Sequence, residues 1–385
     1  MFKKIWLTAL ISVPLLSCNQ QLRKESWSEG MQGMTAALRE LLPYIYDDRE
    51  FSHPRNKIFI QTRLSELNHH SNSLDGHMAL GLSGGDPLMK VGLEGLKRNI
   101  DKSTDSFLVD NHDYSQQLLQ SSVNYCVKCH MRTNVGRSFV VYESFGQGAF
   151  QNIKPIDLAR AQIAMREFGK ARQTLIETVQ SKKDPALQRR AALEVLLTLD
   201  IRFENNFQQA VKDLKMAMSE KGIFERNDVP KAWLEYLTRW SQKNLNTELS
   251  IEESLKTLRS KPPKINTFAR DLHISRLLHK KLSSQEKPDM RAQILEALGL
   301  VYQAHSSLSS WELPDRYFEA CINDFPHSPQ AKRCYYSLEK AVRKSHSISS
   351  DSSLPDNDKV YLLKYKALAE SLAPKGQSIQ EHPRF

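Results

Sequence analysis

The stretch that decides the fold is DYSQQLLQSSVNYCVKCH, residues 113–130. Leu119, Val123, Cys126 and His130 follow one another at steps of three or four residues, which is the spacing of one face of an α-helix. The segment ends in the pattern C-x-x-C-H. We therefore expect a helix whose last turn carries two thiols and an imidazole on its inner side.

The pattern C-x-x-C-H is the signature of covalent c-type haem attachment. Two intervening residues place the sulfurs of Cys126 and Cys129 on one side of a helical turn, within reach of the two vinyl groups of one porphyrin. The adjacent histidine is then turned towards the iron. We expect one covalent haem c, with Cys126 and Cys129 forming the thioethers and His130 as the proximal iron ligand.

Two other uses of a C-x-x-C pair compete with haem. Half of a zinc site would need a second such pair, or two histidines at the short distance from the cysteines that a zinc finger has. Neither follows in the sequence. A redox-active pair of the thioredoxin kind begins a helix after a buried strand, whereas Cys126 and Cys129 end a helical pattern. The sequence favours haem.

The N-terminus predicts export from the cytoplasm. Residues 1–17 combine the cationic start MFKK with an apolar stretch at 5–16 that is too short to span a membrane. With the small residue Ser17 before Cys18, the segment resembles a bacterial lipoprotein signal. This resemblance implies that Cys18 is lipidated, and Asn19 after it implies sorting to the outer membrane, facing the periplasm. An ordinary signal peptide with an incidental cysteine is the alternative.

Composition and charge narrow the class of protein. Without the signal, 368 of the 385 residues remain, enough for two or three domains at roughly 150 residues each. Apolar residues make up 40%, and there are only 15 glycines and 16 prolines, which favours helices over a many-turned β-fold. The formal charge of +10 favours acidic partners or anionic surfaces. Export argues against a nucleic-acid partner, although the basic excess alone would allow one.

Periodicity predicts four helices up to and including the C-x-x-C-H segment. Their expected ranges are 27–46, 56–70, 87–108 and 113–130, with a break at 47–54 and a long loop at 72–85. Asp86 and Pro87 suit the capping and first positions of the third helix. Four antiparallel helices around a cofactor form the expected N-terminal domain, residues 27–136.

This arrangement resembles the class II cytochromes c, the cytochrome c-prime type, over about residues 25–140. Their haem is carried on the last helix of a four-helix bundle. In six-coordinate members the distal ligand is a methionine of the first helix, which implies Met31 here and Met34 as the second choice. The alternative is that both methionines only fill the core.

Histidines supply a further choice of distal ligand. His70 is the third candidate, and His69 and His77 are weaker ones; an exposed or capping role is the alternative for each. Without any distal ligand the iron would be five-coordinate and open to small gases.

Charged and small residues around the motif suggest how a haem would be accommodated. Lys128, Arg132 and Arg137 are placed to neutralise propionates or to face an acidic redox partner, with solvated surface charge as the alternative. Gly92 and Gly95 on the third helix, like Ser122 on the fourth, would let backbone approach a flat macrocycle. After the motif, residues 139–145 form the one short run that reads as extended.

The second half of the chain is repetitive and carries no haem, phosphate-loop or nucleophile motif. The spacing Ala164-x₃-Phe168-x₂-Ala171 recurs 39 residues later as Phe203-x₃-Phe207-x₂-Ala210. A further helical pair surrounds the turn at 325–329. These segments resemble tetratricopeptide-like repeats, which implies an α-solenoid of stacked helix pairs that binds proteins or peptides.

The predicted organisation is therefore all-α. It consists of a signal peptide at 1–17, a tether at 18–26, the haem bundle at 27–136, a linker at 137–155, helical repeats at 156–345, and a flexible segment with a last helix and tail at 346–385.

Two features of the repeat region are open to two interpretations each. Cys321 and Cys334 flank the turn at 325–329 and form a plausible disulfide in an oxidising compartment, or else two small packing residues. The cluster of Trp233, Tyr236, Leu237 and Trp240 is either a binding surface or helix-packing core.

Together these observations predict a membrane-anchored, exported monohaem c-type cytochrome that relays single electrons. Its redox partner would be an acidic protein, and the repeat domain would dock a protein or peptide. The alternative is a haem-based redox or gas sensor that signals through the repeat domain. A turnover enzyme is not expected, because no acid–base constellation accompanies the haem motif.

Overall fold

A computed structural model describes most of the chain and is helical throughout the part it describes. The described residues are 28–74, 86–131, 153–220, 222–224, 228–243, 249–282, 287–305, 313–345 and 354–370. They form sixteen α-helices and no strand, which confirms the all-α prediction for them. Within these ranges no helix is both long and apolar enough to cross a bilayer.

Several predictions fall outside the described residues. They are the signal peptide at 1–17, lipidation of Cys18, the tether at 18–26, His77, Arg132, Arg137, the extended run at 139–145, the linker up to 152, the segment at 346–353 and the tail from 371.

Packing divides the described residues into two units. The first holds 28–74, 90–130 and 153–168, and the second holds 86–89, 131 and the residues from 169 onward. The helices of the first unit are α1 (28–45), α2 (Asp48–Ser52), α3 (Lys57–Ser73), α4 (Pro87–Leu108), α5 (His112–His130) and α6 (Pro155–Ala164), with a 3₁₀ turn at Pro54–Asn56. The first three residues of α4 belong to the second unit.

The core of the first unit draws on all its long helices. Leu41 on α1, Leu64 on α3, Ile100 on α4 and Leu119 on α5 are each fully buried in one cluster. The apolar stripe read from the sequence is thus the buried face of each helix, as expected when burial of apolar area drives helix packing.

The predicted break at 47–54 contains a short helix, α2, instead of an open loop. The Asp47 carboxylate accepts hydrogen bonds from the backbone N–H groups of Arg49 and Glu50, both at 3.1 Å, and so caps it. Phe51 is then buried edge-on against Phe107 of α4, with ring centroids 5.4 Å apart. A five-residue helix lies below the length at which periodicity is readable.

Helix α6 differs most from the sequence-based domain boundary. Residues from 156 onward were expected to begin the repeat region, but α6 packs against α5 in the first unit, which continues to Phe168. Ala159, Ala161 and Ile163 of α6 are fully buried. An amphipathic pattern shows which face of a helix is buried but not which neighbour buries it, so the packing of α6 against α5 could not be read from the sequence.

Four turns between successive helices contain a residue in the left-handed backbone conformation. Asp110, Arg166, Asn205 and His327 each have φ between 56° and 63°, and each stands two residues before the next helix begins. At the first two turns the following N–H reaches back five residues to a carbonyl oxygen, at 2.9 Å and 2.8 Å. This left-handed cap satisfies helix-end carbonyls and reverses the chain. The two copies of the repeated motif therefore span a turn and do not lie on one helix.

The second unit is a succession of helices. They are α7 (Phe168–Gln180), α8 (Ala186–Thr198) continued by a π-turn at Leu199–Phe203, α9 (Phe207–Ser219), α10 (Asp228–Ser241), α11 (Ile251–Ser260), α12 (Phe268–Leu282), α13 (Pro288–Ala304), α14 (Leu313–Asp324), α15 (Pro329–Ser345) and α16 (Asp356–Glu370). From α12 to α16 each helix packs on the next, and α13 with α15 and α14 with α16 pack as well. Cys321 on α14 and Cys334 on α15 are fully buried and joined by a disulfide.

Candidate functional site

The C-x-x-C-H residues occupy the last turn of α5, which ends at His130. Leu119 and Val123 anchor the preceding turns in the core at 0% and 1% exposure, and the helix continues on that face into the motif. Residues three and four apart lie on one face of a helix, so Cys126, Cys129 and His130 form a single compact group.

The two cysteines of the motif form no disulfide, and their side chains are partly buried. Burial raises the pKa of Cys126 to about 12, and the neighbouring Cys129 adds to the effect, because a thiolate is poorly solvated there. The sulfur of Cys126 is therefore held protonated at neutral pH. A protonated, buried thiol is a weak nucleophile and is not a charged metal ligand as it stands.

His130 is held by the carbonyl end of α6. Its ring is 9% exposed, and Nδ1 lies 3.3 Å from the backbone carbonyl oxygen of Ile163. Burial lowers the pKa of the imidazole to about 4, with the positive charge of Arg166 as a second cause. The ring is thus neutral at pH 7, and since a carbonyl oxygen only accepts, Nδ1 carries the proton and donates. Nε2 then carries the lone pair, which is the form in which a neutral imidazole can bind a metal.

Arg166, just after α6, lies near the motif, and its charge interacts with both His130 and Cys129. Arg160 and Cys126 act in opposite directions on the pKa of Tyr46, which the arginine lowers and the cysteine raises. The pKa of Tyr46 is raised, chiefly by burial. Sequence reasoning assigned neither arginine to the site, because both follow a long stretch of chain after the motif.

The candidate distal ligands lie in two different places: the methionines are at the core of the first unit, and His70 lies against helix α1. Met34 on α1 is buried at 6% exposure, and Met31 is partly buried against the same cluster, as is Cys126. The structure therefore brings both methionines and the motif to one core. His70 instead lies against Gly33 of α1: a Cβ built on that glycine would stand 2.4 Å from its Nε2. His69 is exposed.

The glycine, lysine and serine residues expected near a haem differ in what they contact. Gly95 is covered by the ring of Tyr125, since a Cβ built there would lie 2.7 Å from the phenol carbon, whereas Gly92 has nothing within 4 Å. The ammonium of Lys128 lies 5.4 Å from the centroid of the same tyrosine ring. Ser122 is buried and donates to the carbonyl oxygen of Leu118 at 2.9 Å. Of the two glycines, only Gly92 leaves its backbone open to another group.

Comparison with protein-family models, curated proteins and solved structures finds no match to this chain. The fold and the site therefore rest on the residues themselves.

The donor set fits a covalent haem. It offers two cysteines outside any disulfide within one helical turn and a neutral, buried imidazole whose Nδ1 is engaged by a carbonyl oxygen. Two thioether sulfurs and one nitrogen ligand are what c-type attachment requires. Among the described residues no group of three or more His, Cys, Asp or Glu side chains converges as a metal site.

Proposed function

We propose that this chain is an exported, lipid-anchored monohaem c-type cytochrome that relays single electrons. The observation that carries the proposal is His130, which directly follows Cys129 in the motif and donates through Nδ1 to the carbonyl oxygen of Ile163. A ligating histidine is commonly oriented by such a second hydrogen bond, which fixes its tautomer and ring plane.

Cys126 and Cys129 are proposed as the covalent anchors. Each cysteine would hold the haem through a thioether, the product of adding its S–H across one vinyl group. Such an addition neither gains nor loses electrons, so no oxidant or reductant would be needed. Neither cysteine is in a disulfide, which would block this chemistry.

When bound, the haem supplies one-electron redox chemistry. The other parts of the proposal belong to the chain. His130 would hold the iron through Nε2, and Met31, with Met34 as the second choice, is the proposed distal ligand from the same core. Arg166 adds positive charge near the motif, which would favour an acidic redox partner.

We assign α1, α3, α4 and α5 to a four-helix bundle like that of the class II cytochromes c, and the second unit to tetratricopeptide-like repeats. Support for the bundle comes from the single core that the four helices share. Support for the repeats comes from helices that pack on their next and next-but-one neighbours, as stacked hairpins do. The repeats would dock a protein or peptide, and a lipid on Cys18 would hold the protein at the outer membrane, facing the periplasm.

The test is expression of the full chain in a bacterial host that exports it and matures c-type cytochromes. We expect a coloured protein whose mass exceeds that of the processed polypeptide by one haem and whose colour survives acid extraction. The double substitution Cys126→Ala with Cys129→Ala removes the covalent haem. A matched control, Cys321→Ala with Cys334→Ala, also removes two cysteines but keeps it. Colourless protein without added mass would overturn the proposal.

Spectroscopy with carbon monoxide tests electron relay against gas binding. A distal methionine predicts a low-spin spectrum in both oxidation states that carbon monoxide leaves unchanged. A high-spin protein that binds the gas at once would contradict electron relay and favour the sensor interpretation.

A further inference from the structure

A cavity of about 390 Å³ lies within the second unit, where the end of α10, the middle of α12 and the turn before α9 approach one another. Residues that border it include Phe207, Trp240, Lys243, His273 and Arg276. Its volume falls within the range of roughly 300–1,000 Å³ typical of small-molecule sites.

Aromatic rings form one wall of the cavity. The centroid of the His273 ring lies 4.3 Å from that of Trp240 and 4.7 Å from that of Phe207. On α10, Trp233 and Leu237 are fully buried, whereas Trp240 is partly exposed. The aromatic cluster noted in the sequence therefore divides into helix-packing core and a cavity wall.

His273 brings a hydrogen-bond donor to this wall. The residue is 5% exposed, and its Nδ1 lies 3.0 Å from the hydroxyl oxygen of Tyr236. Within the described residues that hydroxyl has no other acceptor, so the pair is best satisfied when Tyr236 donates to Nδ1. The imidazole proton is then on Nε2, which has no hydrogen-bond partner in the described part of the chain. An acceptor in the cavity can therefore take this N–H as its hydrogen-bond donor.

Basic side chains outnumber acidic ones along the described border of the cavity. Lys243, Arg276 and Lys280 are basic, and Glu204 is acidic. The Lys243 ammonium lies 4.0 Å from the Trp240 ring centroid. Together with burial, the charges of Arg276 and Lys243 lower the pKa of His273 to about 3, which shows that both act on the ring. A negatively charged group would be favoured here over a neutral one of the same shape.

We propose that this cavity binds a small organic acid that joins a carboxylate to an apolar or aromatic group. The carboxylate accepts from His273 Nε2 and pairs with the Lys243 ammonium, and the apolar part lies against Trp240 and Phe207. Aromatic walls with a few convergent polar groups are the usual composition of such a site. The site is separate from the haem motif and does not depend on the proposed redox function.

The proposal is tested by calorimetric titration of the full-length mature protein with phenylacetate and with its neutral isostere phenylacetamide. Phenylacetate carries both parts of the proposed ligand, and the amide differs from it only in charge. We expect the acid to bind and the amide to bind about tenfold more weakly or not at all.

A charge-removing pair of variants locates the binding. Lys243→Gln should weaken phenylacetate binding about tenfold and leave phenylacetamide unchanged. Lys332→Gln makes the same charge change at an exposed position of α15 that does not border the cavity, and should have no effect. Both lysines are exposed, so neither substitution threatens folding. Equal binding of acid and amide, no binding of either, or equal loss in both variants would overturn the proposal.

Discussion

The Nδ1 atom of His130 on α5 lies 3.3 Å from the carbonyl oxygen of Ile163 on α6, 33 residues further along the chain. This bond predicts that the Nδ1 proton of His130 exchanges slowly with solvent, because it is engaged and its ring is 9% exposed. Proton NMR of the mature protein after transfer to D₂O measures the exchange. Loss of the signal as fast as that of a free imidazole would show that α6 does not hold the ring.

Met31 and Met34 are separated by their burial and by their proposed roles. Met31→Ala should convert a low-spin absorption spectrum to a high-spin one, because it removes the proposed distal ligand. Met34 is 6% exposed, so Met34→Ala should instead lower the free energy of unfolding by about 2–5 kcal/mol and keep the spin state. Absorption spectra and denaturant titrations distinguish the two. A reversed pattern would move the ligand to Met34.

Gly299 on α13 lies directly under the ring of Phe318 on α14. A Cβ built there would stand 2.4 Å from a ring carbon of Phe318, which is fully buried and has no room to yield. Gly299→Ala should therefore destabilise the protein by about 1–3 kcal/mol through overpacking. Gly169→Ala on α7 is the matched control, since nothing lies within 4 Å of its Cβ, and it should be neutral or stabilising by about 0.4–1 kcal/mol. Denaturant unfolding of both variants measures the difference, and equal values would contradict the close packing.

His273 predicts a loss of stability on acidification. Its pKa in the folded protein is lowered to about 3 by burial, with further lowering by Arg276 and Lys243, against an ordinary value of 6.5. The unfolded chain therefore binds a proton between these pH values that the folded chain does not, so stability is complete above pH 6.5 and falls as the pH drops. At pH 5 the expected loss is about 2 kcal/mol.

The measurement is the free energy of unfolding at pH 5 and pH 7.5 in the native protein and in His273→Asn. The substitution removes this titration but leaves an amide that can still accept from Tyr236. The difference between the two proteins should shrink at pH 5. A constant difference across this range would mean that His273 does not titrate as proposed.

The sequence predicted the four long helices up to the motif well because the apolar periodicity of a helix is a local property of the sequence. The predicted ranges 27–46, 56–70, 87–108 and 113–130 differ from the observed helices by at most three residues at either end. The pattern does not give the neighbour of each helix. Ile163 and Arg166 reach His130 only after the chain has returned to α5, and no spacing along the sequence encodes that return.

The same limit applies in the second unit. Trp233, Leu237 and Trp240 follow one helical stripe, yet only the first two are fully buried. The third borders a cavity because His273 and Phe207, from other helices, complete its wall. A periodic pattern identifies the stripe, and the surrounding helices decide where along it the packing stops.

The two cysteine pairs place opposite demands on the cell. Cys321 and Cys334 are joined, whereas Cys126 and Cys129 form no disulfide. Under the proposed export and haem attachment, both pairs would enter the same oxidising compartment, so the chain would need an oxidase for the first pair and a reducing pathway for the second. Maturation of this protein would then fail in a strain that lacks either activity, and the two failures would leave the cysteine pairs in different oxidation states.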